Sequence, residues 1–395
     1  MKRFRRIWRA TLVTILGVIL QQSAKAEKYD PLVYMDSVEF SLLTCSPHEE
    51  IYSLYGHTAL RYKDLHHGES TDVVFNWGVF NFKAPHFVAR FVFGLTDYEL
   101  EIAPYKAFCR YYQHWGSQVV EQVLNLTTEE KAALNAALEE NYQQENRVYR
   151  YNYFYDNCST RPRDILERCI SGKVVYTPRN GYQPSFREMI HQQTANHRWA
   201  TYGNDMLLGV KADLTTNRQE QEFLPANLLY DFDHATVVDA SGNSRPLVSE
   251  RRQAIAGGVQ TVEPDFLLTP TEVFCLLLAL SLTVFVAEYK RKKTFVTFDL
   301  LLMLLLGLAG CVLFVMIFSQ HPATSLNLQL LLINPVHLFF LRNVIRRRKT
   351  RYWWILLAMI CLYLCGGLIQ HYAEGWAILA LCLLLRFWTH IRNEK

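Results

Sequence analysis

Tyr151-Asn-Tyr-Phe-Tyr-Asp-Asn-Cys-Ser-Thr-Arg-Pro-Arg-Asp164 is the stretch on which the reading of this chain turns. A strand-like run over Val148–Tyr155 stops at Asp156-Asn157, and a helix is expected just after Cys158. Ser159 or Thr160 can cap that helix, and Pro162 is tolerated in its first turn. A thiol placed there faces unpaired helix N–H groups and the positive end of the helix dipole, which favour thiolate over thiol. Arg161 and Arg163 would strengthen the effect. The plainer reading of a lone cysteine is an inert buried thiol or half of a disulfide, and the strand–Cys–helix context weighs against it.

A thiol nucleophile needs a base, usually histidine. The best candidate is His57 in Ile51-Tyr-Ser-Leu-Tyr-Gly-His-Thr-Ala-Leu-Arg-Tyr62, where a glycine-containing turn runs into a strand. A base in turn needs an orienting partner. If Thr58–Asp64 and Thr71–Val79 form a hairpin with Asp64 opposite Thr71, then His57 lies opposite Gly78 and Asn76 is its diagonal neighbour. Asn76 is therefore the third candidate catalytic residue, ahead of Asp72, and a one-residue slip would turn it away. Cys45 is the rival nucleophile, but it precedes Ser46-Pro47 without a helix start to activate it. His66 and His67 suit an exposed turn. His191 and His197 lack a metal-ligand partner set, so no zinc is expected.

Around this centre the pattern is α+β. Ser37–Thr44 and Ser117–Leu126 have strand composition, and Thr127-Thr-Glu-Glu130 offers a capping box for a helix to about Gln144. Phe186–Gln193 and Trp199–Val210 look helical, and Ala235–Asp239 with Arg245–Glu250 suggests a final hairpin. There is no P-loop, dinucleotide fingerprint, HExxH or GxSxG, and the reading requires no cofactor. Of nine cysteines, Cys45, Cys109, Cys158 and Cys169 precede the apolar third of the chain and could form two disulfides by three connectivities.

The last third is dominated by Leu, Ile, Val and Phe. Five apolar segments, Leu268–Ala287, Phe295–Phe318, Leu326–Leu341, Tyr352–Ile369 and Trp376–Trp388, approach the ~20 residues that span a bilayer. Basic clusters at Lys290–Lys293 and Arg342–Arg351 mark cytoplasmic loops, which leaves the preceding domain outside. The N-terminus agrees: a basic start, an apolar run from Trp8 to Leu20 and Ala24-Lys-Ala26 describe a signal peptide with cleavage expected before Glu27. An uncleaved anchor would leave the next domain on the same side. The expected organisation is a leader (1–26), a catalytic domain (27–252), a linker (253–267) and a helical membrane domain (268–395). A net charge of +4, concentrated beside apolar segments, points to membrane topology and away from nucleic acid.

The order His-strand first and Asn-Cys at a helix start later resembles permuted papain-like enzymes, including the lecithin–retinol acyltransferase type and NlpC/P60-related peptidases. Ser41-Leu-Leu-Thr-Cys-Ser-Pro-His48, Tyr55-Gly-His-Thr-Ala-Leu-Arg61, Phe75-Asn-Trp-Gly-Val-Phe80 and Tyr155-Asp-Asn-Cys-Ser-Thr-Arg-Pro162 resemble more closely the lipoprotein N-acyltransferase Lnb family of Bacteroides-type bacteria. The likeness runs from about Val38 to Leu247. His321-Pro-Ala-Thr-Ser-Leu-Asn327 and Asn334-Pro-Val-His337 extend it into the membrane region. It implies a permuted papain-like periplasmic domain on an inner (cytoplasmic) membrane bundle, with Cys158 and His57 as the catalytic pair. It further implies a phospholipid acyl donor and a diacylated lipoprotein acceptor. Candidate substrate-binding residues are Arg61, Tyr155 and Asn157 around the pair, with His321, Asn327 and His337 in the membrane region. Two other readings use the same residues differently. One is a cell-envelope cysteine peptidase, amidase or phospholipase with the same Cys158–His57 pair; the other is a non-catalytic membrane-anchored scaffold.

Overall fold

A computed structural model describes residues 31–67, 71–81, 83–260, 265–346 and 350–393. The expected leader lies outside these residues. Strand β1 (Val38–Cys45) is buried along nearly its whole length because it runs through the middle of the main sheet. That sheet has seven strands in the order β10-β5-β1-β2-β3-β4-β6, every neighbouring pair antiparallel. They are β2 (His57–Asp64), β3 (Val73–Val79), β4 (Asp97–Pro104), β5 (Val119–Leu124), β6 (Val148–Arg150) and β10 (Val248–Ile255). A small second sheet pairs β7 (Lys173–Val175), β8 (Thr236–Val238) and β9 (Ser244–Pro246).

The helices of this region, in chain order, are α1 (Pro31–Met35), α2 (Phe87–Val92), α3 (Tyr105–His114), α4 (Thr128–Tyr142) and α5 (Thr160–Cys169). They continue with α6 (Phe186–Thr194), α7 (Arg198–Leu207), α8 (Arg218–Gln221) and α9 (Pro225–Asp233). Helices cover both faces of the sheet. On one face Leu134 and Leu138 of α4, Ile165 and Leu166 of α5, and Leu228 and Phe232 of α9 pack on Phe40, Leu42, Leu60 and Trp77. On the other, Phe108 and Tyr112 of α3 pack on Leu43, Cys45, Ala59 and Val74. Removing each such side chain from water contributes roughly 1.5–3 kcal/mol. Helix α4 carries the expected capping box between Thr127 and Glu130.

Three elements differ from the sequence reading. The expected strand Val148–Tyr155 ends at Arg150, because Asn152 folds the chain back: its side-chain oxygen accepts from the N–H groups of Phe154 and Tyr155. The aromatic residues that suggested a strand instead fill a satellite core, where Phe154 stacks on Phe186 at 4.0 Å. The expected final strand Arg245–Glu250 is two strands in different sheets. Buried Leu247 lies between β9 and β10, its N–H bonded to Ala235. Finally, β10 continues to Ile255, inside the expected linker.

The helical region comprises α10 (Pro270–Arg291), α11 (Val296–Met316), α12 (Val336–Ile345), α13 (Tyr352–Gly366) and α14 (Trp376–Asn393). Among the described residues, three helical segments, 270–291, 296–316 and 328–345, are long and apolar enough to cross a membrane. The last is interrupted: a single turn over Leu328–Leu331 precedes α12, with Asn334-Pro335 between them. Proline cannot supply the N–H that a continuous helix would need. Gly310 of α11 lets the break come close, since a Cβ there would lie 2.4 Å from the Asn334 backbone. At the opposite end of the bundle, Arg386 bonds Glu288 at 2.7 and 2.9 Å and Asp299 at 2.6 Å, all three fully buried.

The sheet domain is joined to the bundle through the end of α7. A helix leaves its last carbonyls without partners, and here amide side chains of the bundle supply them. Gln329 Nε2 donates to Asp205 O at 2.7 Å, Asn327 Nδ2 to Met206 O at 2.8 Å, and Gln370 Nε2 to Leu208 O at 3.1 Å. Backbone bonds from Gly209 to Ala323 and from Val210 to Leu326, each 2.8 Å, extend the seam.

Candidate active site

The hairpin β2–β3 pairs Leu60 with Phe75, Arg61 with Val74 and Tyr62 with Val73, which is the register the sequence suggests. It brings His57, at the start of β2, to the end of β3. There His57 Nε2–H donates to Asn76 Oδ1 at 2.5 Å. Two glycines make this possible. Gly56 adopts φ +76°, and a side chain on it would meet the carbonyl of Cys45 at 2.8 Å. Gly78 adopts φ +93° in a bulge of the β3–β4 ladder, and its Cβ position is 3.7 Å from that of Cys158.

Cys158 immediately precedes α5. The cap of that helix is neither Ser159 nor Thr160, as the sequence suggested, but Asn157. Its Oδ1 accepts from Ser159 N at 2.8 Å and Thr160 N at 3.0 Å, while its Nδ2 donates to the carbonyls of Tyr153 and Phe223 at 2.9 Å. Asn157 is thus buried and fully engaged in holding the turn that presents the thiol; it has no group left for a substrate. Among the described residues, the N–H of Cys158 donates to no backbone carbonyl outside regular structure, which makes it the candidate oxyanion donor at this turn.

Cys158 and His57 are hydrogen-bonded to one another, and both are half-buried rather than sealed. With Nε2 on Asn76, Nδ1 is the ring nitrogen left for the sulfur. Burial is the largest influence on each and opposes its charged form. Their mutual attraction and shared hydrogen bond outweigh it, so the Cys158 thiol is pulled below its ordinary range and the His57 imidazole pushed above. The Thr58 N–H and the Ser159 side chain also bond the sulfur. The expected help from Arg161 and Arg163 is not found. Arg161 is paired with Asp156 at 2.6 and 2.8 Å and lies over the Tyr149 ring, and Arg163 is paired with Asp164 and Glu222.

Cys45, the rival thiol, pairs with His57 across β1 and β2 but is fully buried, and burial drives its pKa well above the ordinary value. All nine cysteines are unbridged, Cys45 and Cys109 included. Sequence reasoning missed Tyr112, which bonds Cys45 and lies nearly parallel to the His57 ring at 6.4 Å. It also missed His48, stacked on Trp115 at 4.7 Å with its Nδ1 buried and unpartnered. The register Cys45↔His57 was the signal that this face of the sheet, and whatever helix covers it, borders the site.

The remaining candidate substrate ligands fall elsewhere. Arg61 is buried, bonded to Asp72 at 2.8 and 2.7 Å and to Glu121 at 2.8 Å, with its guanidinium 3.4 Å from the Tyr105 ring centre. Its role is to tie β2 to β5 and α3. Tyr155 is exposed, with its hydroxyl on Glu220 and Lys211 over its ring. His337 is enclosed in the bundle core, accepting from Tyr352 OH at 2.7 Å and donating to Leu332 O at 2.8 Å. Asn327 belongs to the seam with α7. His321 Nε2 donates to Phe91 O at 2.5 Å and so joins the bundle to α2. Among the described residues no group of three or more His, Cys, Asp or Glu side chains is placed to hold a metal ion.

No curated protein and no solved structure is detectably similar to the chain. Two family models do match it: residues 25–189 fit the Lnb N-terminal periplasmic domain and residues 261–395 the Lnb transmembrane domain. The sheet domain with its Cys158–His57 centre is accordingly periplasmic and the helical region membrane-embedded; together the two matches span about three quarters of the sequence, and the chain belongs to the Lnb family.

Proposed function

We propose that the chain is a lipoprotein N-acyltransferase of the inner membrane, moving an acyl group from a phospholipid to the α-amine of a diacylglyceryl-cysteine lipoprotein. The observation that carries this reading is a thiol held at a helix start and hydrogen-bonded to His57, which is itself oriented by Asn76, in a domain docked on membrane helices. The Cys158 thiolate attacks the donor's ester carbonyl, and the Cys158 N–H supports the developing oxyanion. The ester C–O bond breaks, and protonated His57 gives its proton to the departing glycerol oxygen, releasing a lysophospholipid. The acceptor amine then attacks the thioester. Neutral His57 takes a proton from the amine as the amide forms, and the thiolate–imidazolium pair is restored.

The test uses purified full-length protein with phospholipid and a synthetic diacylated lipopeptide, followed by mass spectrometry of both peptide and enzyme. Acyl mass is expected on the peptide amine, and transiently on Cys158, with wild type and not with Cys158→Ser. Lysophospholipid without any peptide product would assign the activity to a phospholipase instead. Full transfer by the Cys158→Ser protein would eliminate the thioester route.

A further inference from the structure

Helix α2 has an unusual surface for a water-facing element. Val88 is 74% exposed and Phe91 48%, and Phe93 just beyond the helix is 43% exposed. The helix's one basic residue, Arg90, has a side chain 38% exposed and engaged by the domain, bonding Leu95 O at 3.0 and 3.1 Å and pairing with Asp97. An exposed apolar ridge whose one cation is already paired marks a contact site.

The position of α2 identifies the contact. Gln320 N donates to Phe93 O at 2.9 Å, and His321 bonds Phe91 O, four and five residues beyond the end of α11 at Met316. Gly94, at φ +68°, permits this approach, since a Cβ there would sit 2.8 Å from His321 N. Helix α11 crosses the membrane from a basic cytoplasmic loop, so its far end lies at the outer surface, and α2 is fixed to that end. Aromatic and aliphatic side chains held at this depth face the lipid headgroup and acyl boundary.

From α2 a row of rings leads inward. Phe91 lies 6.2 Å from Phe87, Phe87 lies 6.1 Å from Phe80, and Phe80 packs on Tyr98 at 4.8 Å. Phe80 stands two residues after Gly78, the residue against Cys158. We propose that α2 is seated in the outer leaflet and that the Phe91–Phe87–Phe80 row carries one acyl chain of a phospholipid donor to Cys158. This rests on the acyl-transfer reading and assigns the residues that would serve its first step. The rings offer an apolar path from the leaflet, so a long chain can reach the thiol without crossing water.

The experiment places the full-length Cys158→Ser protein in lipid nanodiscs containing a phosphatidylethanolamine with a mid-chain diazirine. After irradiation, the labelled peptides are mapped by mass spectrometry. Adducts within residues 79–93, as well as on the membrane helices, are expected; adducts confined to the membrane helices would overturn the proposal. In a second measurement, Phe87→Ala in the otherwise wild-type protein should slow acylation of Cys158 from nanodisc phospholipid by about tenfold, with acylation by p-nitrophenyl butyrate changed less than about twofold. Equal loss with both donors, or no loss with either, would refute the path. Photolabelling reads lipid contact without requiring turnover. Labelling at α2 in Cys158→Ser, together with a wild-type protein that acylates no lipopeptide, would therefore sink the proposed function and not the lipid seat.

Discussion

Replacing His57 with alanine removes the two strongest influences that favour the Cys158 thiolate, its attraction to the imidazolium and the hydrogen bond between them. The Thr58 N–H and Ser159 remain, but burial, the largest influence of all and one that favours the neutral thiol, is then no longer outweighed. With the ion pair as the resting state, the Cys158 thiol is held below its ordinary range, whereas an ordinary thiol is only about 3% ionised at pH 7. Ionisation alone would slow alkylation at pH 7, by about thirtyfold at most on return to an ordinary thiol. A less acidic thiolate is intrinsically more nucleophilic and recovers about threefold per pKa unit, so most of that loss is offset at pH 7 and the displacement of the pH profile is the larger signal. The assay is the rate of iodoacetamide modification of Cys158 in full-length protein from pH 5 to 10, followed by mass spectrometry with Cys158→Ser as the blank. Because the wild-type thiol is depressed, its reactivity should reach its plateau at a lower pH than an ordinary thiol does and fall as acid protonates the pair. In His57→Ala the rise should begin only in the alkaline range. Acyl transfer should be bounded on the alkaline side as well, since His57, raised by the same pair, must still hold a proton for the leaving oxygen; both limits belong to the pair rather than to either residue. A pH profile of Cys158 alkylation in His57→Ala that coincides with that of wild type, in a protein with unchanged unfolding temperature, would refute the ion pair.

Gly78→Ala should lower stability by about 1–3 kcal/mol, because φ +93° is strained for any residue with a Cβ, and shifting the bulge should slow Cys158 alkylation as well; calorimetry and the same labelling assay read the two effects. Gln329→Ala leaves the Asp205 carbonyl without its close donor and Ala373 N without its acceptor. The cost is about 1–3 kcal/mol, seen as faster proteolytic separation of the two domains, and an unchanged cleavage rate would show that the seam does not depend on this amide. Arg386→Leu strands Glu288 and Asp299 in the bundle and should cost about 3–5 kcal/mol in detergent unfolding, while the triple replacement Glu288→Gln, Asp299→Asn, Arg386→Leu recovers much of that loss.

The hairpin that gathers His57 and Asn76 was legible only in part: a one-residue slip would turn Leu60 and Phe75 out of the core, but a two-residue slip would not, so the register with Asp64 opposite Thr71 was an assumption that the pairing of Leu60 with Phe75 matches. The helix start at Cys158 was legible because Pro162 can sit only in a first turn. Its cap was not, since Asn157, Ser159 and Thr160 are all good capping residues, and the choice fell to contacts with Tyr153 and Phe223, the latter sixty-six residues away. The help expected from Arg161 and Arg163 failed for a related reason. A sequence shows that a cation is near a thiol, but not that Asp156 and Glu222 are nearer to the cation.

The polar residues of the membrane region present the same difficulty in sharper form. His321, Asn327 and His337 stood out as candidate ligands because polar groups beside apolar spans are costly unless they have work to do. The structure gives two of them work at a seam. A domain that must hold a thiol at a fixed height above a bilayer has to end its helices against the bundle, and helix ends expose carbonyls that neither lipid nor apolar side chains can satisfy. Amide and imidazole groups meet that demand, as Asn327 does for α7 and His321 for Phe91. From sequence, such a group cannot be told from one that binds a substrate, since both are polar, sit at the outer edge of a span and have no partner nearby in the chain. Their consequence for function is indirect. By fixing α7 and α2 to the outer ends of membrane helices, these bonds set how far Cys158 stands from the leaflet, which on the acyl-transfer proposal decides whether a membrane-held ester can reach it.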